Sequence, residues 1–437
     1  MKTRILVFSA LLCAAVSGMA REWSLEECVN YAIENNLTVK SQELQVKRGE
    51  LEIVQAKDRF LPTLDASASQ SFNFGRGLTA ENTYADRNTS NFQWGVNFNL
   101  PLFQGLSEYR RLNYAKSSLQ QMLYEHESTK DNVTLNVISQ YLQVLYCKEV
   151  EESARSQADY SAYEVTRQKA LADAGKIAEA DLYDAEAQAA QDQLQVVSAQ
   201  NDTRTALVNL ANLLRLTSID DFDVLPLGDA EPLIPRPESI YNEALSINNG
   251  ILGARQGIKA ASDYISVAKA GYIPTLSLNA GVGSSFYTVS GFDHETFARQ
   301  MRHNMSTYLG FSLRIPIFDG FSTRNSVRTA KLQKYAAEIE LEQRESDLFK
   351  NIQLAYYQAK GARERYLTSG VTLEKTRLSF DATREKYNLG RSTPAEFEQA
   401  KNNLFRTEVS RIQAHYEYLL RYRILMFYKD NKIVQRN

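Results

Sequence analysis

Most protein chemistry runs on imidazole, thiolate and carboxylate groups, and the first two are scarce in this chain of 437 residues, which has 4 His and 3 Cys. A metal site needs its ligands at a helical or loop spacing, such as His at i and i+4. His126, His294, His303 and His415 show no such spacing and stand in no nucleophile or acid–base motif. His294 and His303 fall in a predicted outer loop, where the chemical reading is a weak metal site and the plainer one is exposed side chains without a role. Cys28 and Cys147 lie in predicted helices far apart in sequence, too few for a disulfide framework, so each is expected to be a buried free thiol. Cys13 follows Leu11-Leu12 and not a small residue, which argues against lipid attachment. No enzyme activity, cofactor or resident metal is expected, and the function must come from the elements themselves.

The composition is that of a folded chain: 43% hydrophobic and 23% charged. Lys plus Arg number 50 against 52 Asp plus Glu, so there is no electrostatic case for nucleic acid as a partner. Residues 1–20 read as a secretory signal, with Lys2 and Arg4, an apolar run from Ile5 to Val16, and Gly18-Met19-Ala20 as the cleavage site. The run is shorter than the roughly 20 apolar residues of a bilayer-spanning helix, so export is expected and not an anchor.

The sequence repeats itself. Phe60-Leu61-Pro62-Thr63-Leu64 recurs as Tyr272-Ile273-Pro274-Thr275-Leu276, an offset of 212 residues (274 − 62). Pro101-Leu102-Phe103-Gln104-Gly105 recurs as Pro316-Ile317-Phe318-Asp319-Gly320, and Gly175 recurs as Gly390, both at an offset of 215 (316 − 101). A first repeat is expected over residues 21–225 and a second over 238–437, joined by a linker at 226–237 that holds Pro226, Pro232, Pro235 and Pro237. The offset changes by three residues around Gly75 to Ser90 and Thr288 to Met305, so insertion-tolerant outer loops are placed there.

Gly and Pro are absent from Leu106 through Ala174, which as one helix would be about 100 Å long. The second copy, Phe321 to Leu389, is interrupted only by Gly361 and Gly370. Apolar stripes at Leu135, Ile138, Leu142 and Leu145, and at Leu348, Ile352, Ala355 and Ala359, predict long helical hairpins that turn near residues 175 and 390. The motif Ser24-Leu25-Glu26-Glu27 is a capping box, and the helix it opens is expected to run to about Arg59.

Between the repeated prolines the period changes from helical to alternating. Phe92, Trp94, Val96, Phe98 and Leu100 alternate with Gln93, Gly95, Asn97 and Asn99, and Leu309, Phe311, Leu313 and Ile315 alternate with Tyr308, Gly310, Ser312 and Arg314. Strands are expected near 63–74, 91–100, 275–287 and 307–315, each about the length that crosses a bilayer, with the apolar residues toward lipid. Pro62, Pro101, Gly105, Pro274, Pro316 and Gly320 mark the strand–helix joints. Phe60, Phe103, Tyr272 and Phe318 beside them suit an interfacial girdle or simple packing at the joints. Strands in lipid must close into a barrel, and bacterial barrels begin at about eight strands, so four are too few. Two copies would give a barrel filled by side chains, whereas three would give twelve strands and room for a lumen.

These residues resemble the TolC family of outer-membrane efflux proteins over nearly the whole chain after residue 20. The resemblance rests on Trp23-Ser24-Leu25-Glu26-Glu27 through Asn35-Asn36, the two proline-flanked strand entries and exits, the Gly175 and Gly390 turns, and the duplication. It implies a mixed α and β membrane protein of the outer membrane: a homotrimer whose four strands per protomer share a twelve-stranded barrel, continued by a long periplasmic α-helical coiled-coil barrel. It also implies docking on a periplasmic adaptor and an inner-membrane pump. Acidic residues six and nine positions past the turn glycine constrict the periplasmic entrance in this family, and those positions hold Asp181 and Asp184 in the first copy, Glu396 and Gln399 in the second. Tyr387 matches a position that latches the closed state.

The role the resemblance implies is a passive duct for small molecules or drugs. Type I protein secretion and metal export use the same kind of duct and stay open as alternatives. The competing class is a periplasmic coiled-coil scaffold without a pore, which would keep the helices and have no reason for two-faced strands.

Overall fold

The computed structural model describes residues 21–78, 82–227 and 234–431. The predicted signal at residues 1–20, with Cys13, lies outside the described residues, as do positions 228–233 of the linker, Pro232 among them. The first half of the chain runs β1 (Arg21–Trp23), α1 (Leu25–Asn35), α2 (Leu37–Asp58), β2 (Thr63–Asn73), β3 (Arg76–Leu78), β4 (Tyr84–Asp86), β5 (Thr89–Gln104), α3 (Ser107–Asp173) and α4 (Glu179–Leu214). After β6 (Phe222–Val224) come α5 (Pro237–Ile247), α6 (Asn249–Lys269), β7 (Thr275–Val289), α7 (Phe297–His303), β8 (Ser306–Arg314), α8 (Ser322–Asn388) and α9 (Pro394–Asp430).

The chain divides into two compact units. One is built from residues up to Gln42, His126–Asn248 and the chain from Glu345 on; the other is built from Glu43–Glu125 and Asn249–Arg344. In the first, α1 opens on a complete capping box: Glu27 N–H donates to Ser24 Oγ at 3.2 Å and Ser24 N–H to Glu27 Oε2 at 2.8 Å. The helix does not continue to Arg59, which corrects the reading of one uninterrupted helix. Asn36 leaves helical geometry at φ −63° and ψ 132°, and its side-chain oxygen accepts from Thr38 N–H at 2.8 Å, so a new helix starts there. A short amide side chain competes with the helix ladder for such N–H groups, and that is why Asn caps and breaks helices. Asn248, 212 residues on, sets the same break between α5 and α6.

The core of this unit gathers Cys28, Val29 and Ala32 of α1 with Val137, Ile138, Leu142 and Leu145 of α3 and Leu210 and Leu214 of α4. Beside it lies a feature the periodicity gave no sign of, a parallel two-stranded pairing of β1 with β6. The buried Tyr141 hydroxyl stands 2.6 Å from the Leu225 carbonyl oxygen and 3.0 Å from that of Trp23, so it ties this pair of strand ends to α3.

The second unit is organised around a four-stranded antiparallel sheet, β2-β5-β7-β8. Its register sets Leu64, Ala66 and Ala68 opposite Phe98, Val96 and Trp94, these opposite Ala280, Val282 and Ser284, and Leu309 opposite Ala280. Directly paired residues share a face, so one face of the sheet is largely apolar and the other carries Ser, Asn, Gln, Gly and Tyr. β5 continues through Pro101 to Gln104 by a register shift between Pro101 and Phe103. Proline cannot donate to a ladder, and a bulge is where a sheet tolerates it. β8 stops at Arg314, so Ile315 follows the strand and is not part of it. The outer connections hold the β3–β4 hairpin in the first copy and α7 in the second.

Both free cysteines are buried. Burial pushes the Cys28 thiol up to about 12, with nearby Glu27 adding to the effect, and burial raises Cys147 as well. The thiolate is the reacting form. A chain starting at Arg21 is therefore expected to take up no maleimide at neutral pH while folded and two equivalents once unfolded in guanidinium; prompt labelling of the folded protein would contradict the buried placement.

Candidate functional site

Each long hairpin ends in the same backbone motif. Gly175 N–H donates to Ala172 O at 2.8 Å and Lys176 N–H to Leu171 O at 2.9 Å; in the second copy Gly390 N–H donates to Tyr387 O at 3.0 Å and Arg391 N–H to Lys386 O at 2.8 Å. These are paired 5→2 and 6→1 bonds of a Schellman cap, which requires a left-handed residue. Gly175 sits at φ +68° and Gly390 at φ +66°, and a Cβ on either would meet open space, so the backbone angle alone calls for glycine.

The return helices start differently. α4 has Ala178 at its N-cap and no side-chain cap. α9 has a full capping box: Glu396 N–H donates to Thr393 Oγ1 at 3.2 Å, and Glu396 Oε2 accepts from Thr393 N–H at 2.9 Å and from the Ser392 hydroxyl at 2.7 Å. These bonds, the Thr393 N–H first, hold the Glu396 carboxyl below its ordinary range. Asp181 and Asp184 lie in the first turns of α4, half-exposed and exposed. Among the described residues no hydrogen bond or ion pair joins either side chain to another. Tyr387, in the last turn of α8, stacks on Phe397 of α9 with centroids 4.6 Å apart, lies under the Arg167 guanidinium, and accepts a hydrogen bond at its hydroxyl from the Gln168 amide of α3. It joins the two hairpins to each other, and among the described residues no hydrogen bond links it to Asp181 or Asp184.

Above the turns lies a buried polar cluster that the sequence reading passed over. Lys401 Nζ of α9 donates to Ser161 Oγ at 2.7 Å and to Asp192 Oδ2 at 3.2 Å, and stands 2.7 Å from Glu398 Oε2. Asp192 of α4 also takes the Ser161 hydroxyl and, at Oδ1, the amides of Gln157 at 3.0 Å and Gln188 at 2.9 Å. Lys401, Asp192 and Ser161 are each no more than 5% exposed. Burial raises the Glu398 carboxyl, with Lys401 opposing it. The signal was present: Asp192 heads the stripe of Val196, Ala199, Thr203, Ala206 and Leu210, and Lys401 follows Phe397 by four residues, so charges occupy positions where the period calls for apolar side chains.

At the sheet, Phe92, Trp94, Val96 and Phe98 on the apolar face are half-buried among their neighbours, while Leu309, Phe311 and Leu313 on β8 are 72%, 70% and 63% exposed. Phe92 is also packed by Phe297 of α7 at 5.8 Å between centroids, so α7 covers that end of the face. The joints hold their glycines unequally. A Cβ on Gly105 would lie 2.8 Å from Ile273 Cβ, whereas one on Gly320 would meet nothing; both have positive φ. Pro62 and Pro274 precede β2 and β7, and Pro316 follows β8.

Removing one member of a buried ion pair costs about 3–5 kcal/mol because the other is left charged and dry. Lys401→Ala is expected to lower the thermal midpoint of helix loss by several degrees, and Lys401→Met combined with Asp192→Leu to recover most of it. Circular dichroism in detergent reads both, and an unchanged midpoint for Lys401→Ala would remove the cluster from the stability of the hairpins.

Comparison with known proteins agrees with this architecture. The family model described as outer membrane efflux protein matches residues 28–214 and again 240–428. The outer membrane efflux protein BepC of Brucella suis is 22% identical over 386 residues, 88% of this chain and 80% of that one. The outer membrane protein TolC of Vibrio cholerae is 23% identical over 429 residues, 96% of this chain and 93% of its own length. The crystal structure of the Campylobacter jejuni CmeC outer membrane channel superposes with a TM-score of 0.75 at 18% identity, covering 93% of this chain and 85% of that one. With both of its halves matched, the chain belongs to the outer membrane efflux protein family, as a channel protein of the outer membrane with a periplasmic helical extension, whose work is transport and not catalysis.

Proposed function

We propose that three copies of this chain close a twelve-stranded barrel and form a passive duct for small molecules or drugs, working with a periplasmic adaptor and an inner-membrane pump. The observation that carries this reading is the sheet: four strands, apolar on one face and polar on the other, with β2 and β8 as open edges. Exposed backbone groups at an edge cannot lie in hydrocarbon, and four strands cannot form a ring. A non-channel scaffold has no use for such a face. The helices support the same assembly. Leu194, Val197 and Val208 expose an apolar stripe on α4, and Leu354, Tyr357, Val371 and Leu378 expose one on α8, the kind of seam that neighbouring copies bury in a coiled-coil wall.

Within this duct, Asp181, Asp184 and Glu396 constrict the periplasmic entrance, and Tyr387 holds the hairpins together in the closed state. Three copies of each carboxylate around one axis repel each other and attract cations. Glu396 does this while capping α9, so its charge is fixed in place by the bonds to Thr393 and Ser392.

Detergent-extracted protein is expected to have the mass of a trimer, and deletion of the gene to increase drug susceptibility; unchanged susceptibility with a lost secreted protein would favour type I secretion instead. For the entrance, Asp181→Asn, Asp184→Asn and Glu396→Gln together keep the capping geometry, since Gln also serves at that position. Their expected effect in planar bilayers is higher single-channel conductance and weaker block by a trivalent cation. If neither changes, these carboxylates are not the constriction.

A further inference from the structure

The four strands of the sheet carry two charged side chains, Asp65 on β2 and Arg314 on β8. Both belong to the polar face. Asp65 is opposite Asn97, Asn97 opposite Gly281 and Gly281 opposite Tyr308, and Arg314 lies an even number of residues beyond Tyr308. Each stands on a free edge of the sheet. Asp65 Oδ2 accepts from Asn97 Nδ2 at 3.1 Å, and among the described residues neither Asp65 nor Arg314 enters an ion pair within the chain. Tyr308 completes the row, with its ring so close over Gly281 that a Cβ there would come within 2.5 Å of it and its hydroxyl 3.2 Å from Asn97 Oδ1.

If copies of the chain close a barrel, as the proposed function holds, β8 of one copy pairs with β2 of the next. Two conditions restrict that pairing. The polar face must continue across the seam, so even-numbered residues of β8 must lie opposite odd-numbered residues of β2. No backbone of the shorter strand can be left open, so all of Ser306–Arg314 must lie within Thr63–Asn73. Antiparallel pairing meets both conditions in two ways: Arg314 opposite Asp65, or Arg314 opposite Thr63, the adjacent position on the same face. Simply extending the Asp65–Tyr308 row would leave Phe311 to Arg314 without partners. Either allowed register is staggered from that row, and a stagger is what closing a sheet into a barrel requires.

We propose that Arg314 of one copy stands directly opposite Asp65 of the next, forming an ion pair on the polar face at every subunit seam. Opposite positions bring Cβ atoms to ~5 Å and diagonal ones to ~7–8 Å, so charge complementarity selects the direct register from the two. The pair makes the seam self-complementary in charge as well as in pattern. It also cancels the charge of the strands, so the barrel wall is polar without net charge, and any ion preference of the duct must arise outside the strands.

The test uses the full chain extracted as an oligomer. Ser67→Cys with Ser312→Cys should give covalent dimers and trimers on non-reducing gels, whereas Ser67→Cys with Ser306→Cys, which reports the unstaggered row, should not. Asp65→Arg and Arg314→Asp should each lower the temperature at which the oligomer dissociates, and the two together should restore it. Cross-linking through Ser306, or through Gly310→Cys with Ser67→Cys in place of Ser312, overturns the assigned pairing, as does a double charge swap that fails to recover. These outcomes are read only on an oligomer. A wild-type protein with the mass of a monomer would instead overturn the assembly on which the pairing rests.

Discussion

Each backbone N–H and C=O at a strand edge must find a partner, and in the hydrocarbon of a membrane water cannot be one. The sheet treats its edges in two different ways. β7 runs on past the start of β8, since Gly283 is opposite Ser306 and the strand continues to Val289. That stretch of edge is finished within the chain: the Gln300 amide donates to Tyr287 O and accepts from Tyr287 N–H, both at 3.0 Å, and Asn304 donates to Ser285 O at 2.7 Å. Two amide side chains thus stand in for a missing strand. Along β8 nothing of the kind occurs among the described residues, along β2 only the Gln70 amide reaches a carbonyl, that of its neighbour Ser71 at 3.4 Å, and the 9 residues of β8 fit within the 11 of β2 with the same face polar. On the proposed assembly, the two edges that the chain leaves open are the ones that neighbouring copies pair.

The duplication gives both halves the same ends but not the same flanks. The turns at Gly175 and Gly390 are superposable in their bonding, and the helix breaks at Asn36 and Asn248 recur at the repeat's own offset. Near the turns the copies part. At the 215-residue offset the position of Lys401 is held in the first copy by Glu186, which is exposed, and that of Asp192 in the second copy by Thr407, which is half-buried and carries no charge. The buried cluster is therefore assembled once, from Ser161 and Asp192 of the first hairpin and Glu398 and Lys401 of the second, and it specifies how one hairpin meets the other. An apolar contact would be as stable at similar volume, but it would tolerate sliding along the stripe, whereas Lys401 among Ser161, Asp192 and Glu398 has one position that satisfies it.

What the sequence revealed follows from how far each feature extends along the chain. Unbroken alternation from Phe92 to Leu100, or a stretch from Leu106 to Ala174 without Gly or Pro, is a pattern long enough to read directly. β1 and β6 are three residues each and are joined by parallel pairing with a strand two hundred residues away, so no local period announces them. α7 is also short, at 7 residues, and its role depends on Phe297 and Gln300 reaching strands that the sequence does not place next to it. The break at Asn36 was legible in principle, because Asn35-Asn36 is a pair of helix-disfavouring residues, but a cap inside an otherwise helical stretch reads as a tolerated exception. The box at Thr393 to Glu396 has the same spacing as the one at Ser24 to Glu27, and that spacing alone assigns Glu396 a structural duty.

That duty bears on how a charged constriction can be built. A carboxylate at the tip of a flexible side chain spreads its charge over a wide volume and is easily screened in water. Glu396 is held by three bonds at the first turn of α9, while Asp181 and Asp184, in the first turns of α4, are free to follow their helix. Negative charge at a helix N-terminus is favoured by the helix dipole, which suits Asp181 and Glu396, each in the first turn of its helix. On the proposed assembly, charge is cancelled along the strands by Asp65 and Arg314 and kept at the hairpin tips. The field of the duct would then be concentrated at its periplasmic end and be weak along the strands of the barrel.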